Sequence, residues 1–341
     1  MAPREFDALL VVSFGGPERR EDVLPFLENV LRGRNVPRAR LEEVAEHYYE
    51  FGGRSPINDQ NRALIQSLTK ELAQSGLDLP IYWGNRNWDP LLVDTLRQMT
   101  NDGVQSALAF VTSIYSSYSS CRQYLENIQA AQQQVSDAPR IEKLRVFFNH
   151  PGFIEPMTER TDTAIQQIAA FNRESSPVLF TAHSIPQGMA DTCNYEAQLK
   201  ESSRLVADRL GIQNWKVVYQ SRSGPPQQPW LEPDILDALT DVKSAGHEEV
   251  VIAPIGFLSD HMEVIYDLDK EAAEKASELG LRLSRAATVG NHPRLVTMIR
   301  ELIEERLNPD TIRQTCGSLP TSHDECPADC CVVSPRRPPA T

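Results

Sequence analysis

A histidine, a row of carboxylates and a group of thiols are the residues best placed to do chemistry. His183 closes an apolar run, inside the segment Thr181-Ala-His-Ser-Ile-Pro186. Imidazole titrates near neutrality, so it can take up and release protons at working pH. A core histidine satisfied by a backbone carbonyl is the alternative. Glu263, Asp267 and Glu271 recur at i, i+4 and i+8, which puts them on one face of a helix. Like charges at that spacing repel unless a cation or protons relieve them. An exposed acidic face is the ordinary explanation. Here the row starts beside Asp260 and His261, just after an apolar run, which favours a track for protons or for a loosely bound divalent ion. Cys326, Cys330 and Cys331 offer three thiols close together near the end of the chain, with Cys121 a candidate fourth. A soft-metal centre usually wants four; zinc and a disulfide pair are the competing readings.

The elements that must position these groups follow from periodicity. Strand-like runs cover Ala8–Phe14, Pro80–Gly84, Ser106–Thr112, Leu144–Phe148, Val178–His183, Trp215–Gln220, Glu249–Ile255 and Leu281–Ala286. Amphipathic stretches alternate with them, among them Asn58–Gln74, Asp89–Met99, Glu155–Phe171, His261–Leu279 and Pro293–Arg306. Uniformly apolar strands separated by helices predict an α/β chain with open parallel sheets covered on both faces. Four strands fall in each half, so the architecture reads as duplicated, with a break near His150-Pro151-Gly152. The expected division is 1–150, 151–290, a final helix in 291–308 and a cysteine-rich tail in 309–341, whose ending Ser334–Thr341 reads as mobile.

In open parallel sheets, ligands bind beyond the carboxyl ends of the strands. Gly15-Gly16 after the first strand allows close backbone approach to a flat ligand, or is simply a tight turn. Arg32, Arg34 and Arg38 could receive carboxylates, although a solvated face explains them about as well. Phe51–Pro56 is a loop that could cover an aromatic plane, and Tyr115–Tyr124 carries aromatic, hydroxyl and thiol groups beyond the third strand. Tyr48 reads as an ordinary core or interface aromatic.

Composition limits the classes. The 341 residues carry 34 basic and 47 acidic side chains, a net charge of −13. That argues against nucleic acid or an anionic membrane as the main partner. No apolar run reaches the ~20 residues of a membrane span. No signal peptide is evident, and a cytosolic location is expected. No GxGxxG or Walker sequence follows the first strand, which weakens a nucleotide-binding reading.

With these residues in view, the chain resembles the ferrochelatase family from about Asp7 to Arg306. The motifs are Ser13–Glu18 (SFGGPE), Phe51–Asn58 (FGGRSPIN), Thr181–Pro186 (TAHSIP), Tyr219–Asp234 (YQSRSGPPQQPWLEPD) and Pro254–Asp269 (PIGFLSDHMEVIYDLD). The tail is similar to that of actinobacterial members carrying a cysteine-ligated [2Fe–2S] cluster. The resemblance implies two Rossmann-like, chelatase-type domains, each a four-stranded parallel sheet, with a porphyrin cleft between them and the last helix packed back on the first. It implies insertion of Fe²⁺ into a porphyrin, with coproporphyrin III the usual substrate in Gram-positive relatives. His183 and Glu263 are then the iron pair, and Asp267 and Glu271 continue the acidic track. Ser55 and Tyr124 match porphyrin-binding positions, joined by Phe14, Arg32, Arg34 and Tyr48 as substrate contacts. Cys121, Cys326, Cys330 and Cys331 are the cluster ligands, with Cys316 the spare. Phe14 stands where some relatives carry an iron-ligating tyrosine, and His47 where they carry an arginine. Haem-pathway enzymes upstream and downstream are the implied partners. The alternatives are a protoporphyrin IX ferrochelatase, a chelatase for cobalt or nickel, and a non-catalytic haem or iron–sulfur sensor.

Overall fold

The computed structural model describes residues 6–33 and 36–332. Arg34 and the ending Ser334–Thr341 lie outside the described residues. Among the described residues eight strands form two four-stranded sheets. The first holds β1 (Ala8–Ser13), β2 (Ile81–Asn85), β3 (Ser106–Val111) and β4 (Arg140–Lys143) in the order β2-β1-β3-β4. The second holds β5 (Val178–His183), β6 (Trp215–Gln220), β7 (Glu249–Ala253) and β8 (Arg282–Arg285) in the order β6-β5-β7-β8. Every pairing is parallel, and the two orders are the same. β1 and β3 are buried along their whole length, as their unbroken apolar sequences require when helices cover both faces.

One expected strand is displaced. The ladder uses Arg140–Lys143, and the apolar run Leu144–Phe148 leaves the sheet after a last bond from the Leu144 N–H to the Ala109 carbonyl, 2.9 Å. β4 is an edge strand and tolerates a polar sequence. The apolar run is needed elsewhere: Phe147 stacks on Phe110, centroids 5.6 Å apart, and meets Phe153 edge-on at 6.2 Å. These rings belong to one core cluster that also takes in Phe180 and Val251 from the second sheet, so the crossing segment joins both halves. The helix after it begins at Pro151, four residues before the expected start, because the His150 ring caps it by accepting the Gly152 N–H at 3.0 Å.

The closing helix Pro293–Leu307 packs on Pro151–Gln166 and on Ile57–Gln74, and so bridges the halves. Its Glu305 meets Arg145 of the crossing segment in a two-pronged pair, at 2.7 and 2.8 Å, with both side chains almost fully buried. The tail has no helix or strand among the described residues, yet it is tied down. Arg145 donates to the Gln314 carbonyl, Asn149 binds the Cys316 N–H and the Leu319 carbonyl, and Glu201 accepts the Ser318 N–H. Farther on, Arg122 donates to the Ala328 and Cys330 carbonyls and Thr192 to that of Val332.

Candidate functional site

β5 delivers His183 at its last residue, where the side chain emerges from the core. Nδ1 lies against the Ser184 carbonyl, an acceptor, so Nδ1 donates there and Nε2 is the nitrogen left to face Glu263. Nε2 is 3.8 Å from Glu263 Oε2. The loop after β7 sets this approach. Gly256 crosses directly over β5: its N–H donates to the Thr181 carbonyl at 2.9 Å, and a Cβ there would come within 2.5 Å of Ala182. Tyr115 of the first half holds the same loop by donating to the Ile255 carbonyl, 3.0 Å.

Beyond the loop the acidic row lies on a helix that widens to π-helical winding over Ile265–Ala272. Such widened turns mark functional sites in many helices. Gln220, the last residue of β6, and Ser221 after it donate to Asp267, and Gln220 also donates to the Glu263 carbonyl. Burial, reinforced by the charges of Glu263 and Glu271, pushes the Asp267 carboxyl up to about 7. Burial, then Asp234, also raises Glu271. His261 is held below its ordinary value by burial. Asp260 is engaged elsewhere: Arg285 and Thr288 donate to its carboxylate at 2.9 and 3.1 Å. It fixes the loop rather than opening the acidic row.

The first half supplies the facing wall. Burial raises the Tyr48 and Tyr124 phenols, and both feel the Glu263 charge. Ser55 is buried under Gly16, where a Cβ would reach it at 2.8 Å. Phe14 packs edge-on against Phe26 at 6.1 Å. Arg38 is committed to Glu28 and Glu42, and Arg32 to Asn29. His47 stacks on Tyr266 with centroids 3.8 Å apart, and Lys270 pairs with Glu50. The helix Arg38–Glu50 is thereby clasped to the acidic helix.

A second cluster lies where the tail meets the first half. Cys121 is buried in the turn Tyr118–Arg122, three residues before Tyr124. A hydrogen bond from Cys326, with Lys143 nearby, draws the Cys121 thiol down, while Cys326 is pushed up by the same bond and by burial. The Cys330 and Cys331 sulfurs are 3.5 Å apart. Cys316 lies elsewhere, its sulfur accepting from Arg209 at 3.4 Å.

A family model described as Ferrochelatase matches residues 6–307. The chain belongs to the ferrochelatase family. A protein of Rhodopirellula baltica named Ferrochelatase is 58% identical over 98% of this chain and 95% of its own length. One of Streptomyces coelicolor named Coproporphyrin III ferrochelatase is 49% identical over 98% and 96%. In fold the chain is similar to SirB from Bacillus subtilis, solved with Fe3+, at a TM-score of 0.55 and 10% identity, covering 89% of this chain and 99% of that one.

In this family member the structure brings His183 Nε2 to 3.8 Å from Glu263, and Asp267, Tyr48 and Tyr124 all lie near enough to feel the Glu263 charge. Sequence reasoning passed over two residues. Arg86 lies over the Tyr124 ring at 4.5 Å and the Phe14 ring at 5.6 Å. Its place directly after β2, at a carboxyl end, was the available signal. His323 lies with Cys326 and Cys330, all three donor atoms within 4.8 Å of one another.

The Asp267 carboxyl gives a pH prediction. An ordinary carboxyl titrates at about 3.9. Between that value and about 7 the folded protein holds a proton that the unfolded chain has lost, so stability falls as pH rises through the window. Asp267→Asn removes this decline. Thermal melts should show the variant gaining on the parent between pH 5 and pH 8; a constant difference would show that Asp267 titrates normally.

Proposed function

We propose that this protein inserts Fe²⁺ into coproporphyrin III, giving iron coproporphyrin III (coproheme). The observation that carries the reading is the approach of His183 Nε2 to Glu263, 3.8 Å, with the Tyr48 and Tyr124 phenols close enough to feel the Glu263 charge. The name of the Streptomyces coelicolor relative supports the choice of porphyrin. Insertion removes two pyrrole protons and admits a dication, so charge balances with no electron transferred. His183 Nε2 has the free lone pair to accept a pyrrole proton. Glu263 supplies an anionic oxygen to the iron on the same face. Asp267, poised near neutrality, and Glu271 pass protons or iron along the helix. The wall opposite holds the ring so that these groups meet one face of it. Ser55, Phe14, Arg32 and Arg34 remain proposed substrate contacts. Phe14 offers no oxygen, so product iron receives no phenolate from that position.

The convergence of Cys121, Cys326, Cys330 and Cys331 fits a [2Fe–2S] cluster in donor chemistry, since thiolates are its usual ligands. When bound, such a centre supplies a covalent tie between the tail and the first half. Among the described residues no helix is long and apolar enough to cross a membrane. A cytosolic enzyme exchanging substrate and product with haem-pathway neighbours goes with this reading.

Anaerobic titration with Fe²⁺, followed by Soret absorbance, tests it. Coproporphyrin III should be metallated faster than protoporphyrin IX at equal concentration. The reverse order would reassign the substrate, and binding of both without metallation would favour a sensor.

A further inference from the structure

β4 ends on a lysine that is held inside the protein. Lys143 is 8% exposed, and its Nζ lies 3.5 Å from the Leu144 carbonyl, at the limit of a hydrogen bond. A buried ammonium is ordinarily paired with a carboxylate. Lys143 has no such pair among the described residues. It lines a cavity of about 170 Å³ together with Cys326, and the acids there are engaged elsewhere or face solvent. Glu142 is taken by Arg140 and Arg306, Asp324 by Arg313, and Glu325 is exposed. What Lys143 does reach is sulfur. It donates to Cys121, and its charge favours the thiolate of Cys121 and of Cys326.

We propose that Lys143 is the built-in counter-charge of the tail centre, raising its reduction potential from the edge of the first sheet. This rests on the reading of Cys121, Cys326, Cys330 and Cys331 as ligands of a [2Fe–2S] cluster, and adds the residue that tunes them. Four thiolates leave such a cluster negative, and reduction adds one further negative charge. A fixed cation beside it therefore favours the reduced form. Net charge and hydrogen bonds to the sulfurs are two of the factors that set these potentials, and Lys143 supplies both. Its burial keeps water from screening the effect. The cost of burying the ammonium is offset when the anionic centre is seated beside it. Lys143 thus acts on the cluster and not on the porphyrin chemistry.

The test uses the full chain purified anaerobically. Iron and acid-labile sulfide are measured first; a parent protein without them removes the cluster reading and this assignment with it. The midpoint potential of the loaded protein is then taken from a redox titration followed by EPR of the reduced centre. Lys143→Met and Lys143→Gln should shift it to more negative values, and Lys143→Arg should leave it near the parent. Lys216→Met, which neutralises an exposed lysine on the edge strand β6, should not move it. Neutral variants at the parent potential overturn the assignment and leave the cluster reading intact. A Lys143→Arg protein shifted as far as Lys143→Met also overturns it, because the effect would then be one of packing. If the neutral variants retain no centre, Lys143→Arg decides: iron and sulfide at the parent level support the need for charge, and their loss overturns it.

Discussion

His183→Ala should lower the rate of iron insertion by about 10²- to 10⁴-fold, the range that a positioned general base contributes. The alanine removes the ring nitrogen that lies 3.8 Å from Glu263. His261, the next imidazole in the loop, is held below its ordinary value by burial, which weakens it as a base, and it packs edge-on against Phe257 at 5.2 Å. The loss should appear in kcat at saturating iron, with porphyrin affinity little changed, because most of the ring contacts proposed above lie on the first half. Steady-state metallation and fluorescence titration of the porphyrin separate the two quantities. Metallation at the parent rate under saturating iron would sink the assignment.

Glu305→Ala should destabilise the fold by about 3–5 kcal/mol, the usual consequence of stranding one partner of a buried ion pair. The Arg145 side chain is 1% exposed and the Glu305 side chain 2%, so solvent cannot take over the lost partner. Arg145 would keep only its bond to the Gln314 carbonyl. Urea denaturation of the two proteins measures the difference. Replacing both partners together, with Arg145→Met and Glu305→Leu, should recover most of the loss, since an apolar pair of similar volume carries no desolvation penalty. A single variant with the parent midpoint would show that the pair is not buried in solution.

Much of the fold was legible because fully buried parallel strands have to be apolar. β1, β3, β5 and β7 are short runs with hardly a polar residue, and no helix of that length would be expected between glycines and prolines. β4 was hidden for the converse reason. Arg140-Ile-Glu-Lys143 reads as a loop, while the apolar segment beside it, destined for the core between the sheets, imitated a strand. The chemistry was legible where side chains sit at strand ends or at helical spacing, as His183 and the acidic row do. It was illegible where two distant segments make the contact. Nothing in the spacing of His47 and Tyr266 foretells their stacking, and His323 sits in a polar stretch that gives no hint of a partner. Arg86 could have been found by examining every strand end, since β2 stops one residue before it.

The bracing of residues 122, 145, 149 and 192 by the segment 314–332 has a bearing on biosynthesis. On the ribosome, every group that would handle iron and porphyrin is made before the strap that secures its surroundings. A nascent chain stalled after residue 307 would already own its reactive side chains, yet Arg122 and Asn149 would still lack the carbonyls they hold in the finished molecule. The stretch that braces these residues is thus the last to be made, and their hydrogen bonds close only once it emerges and seats itself.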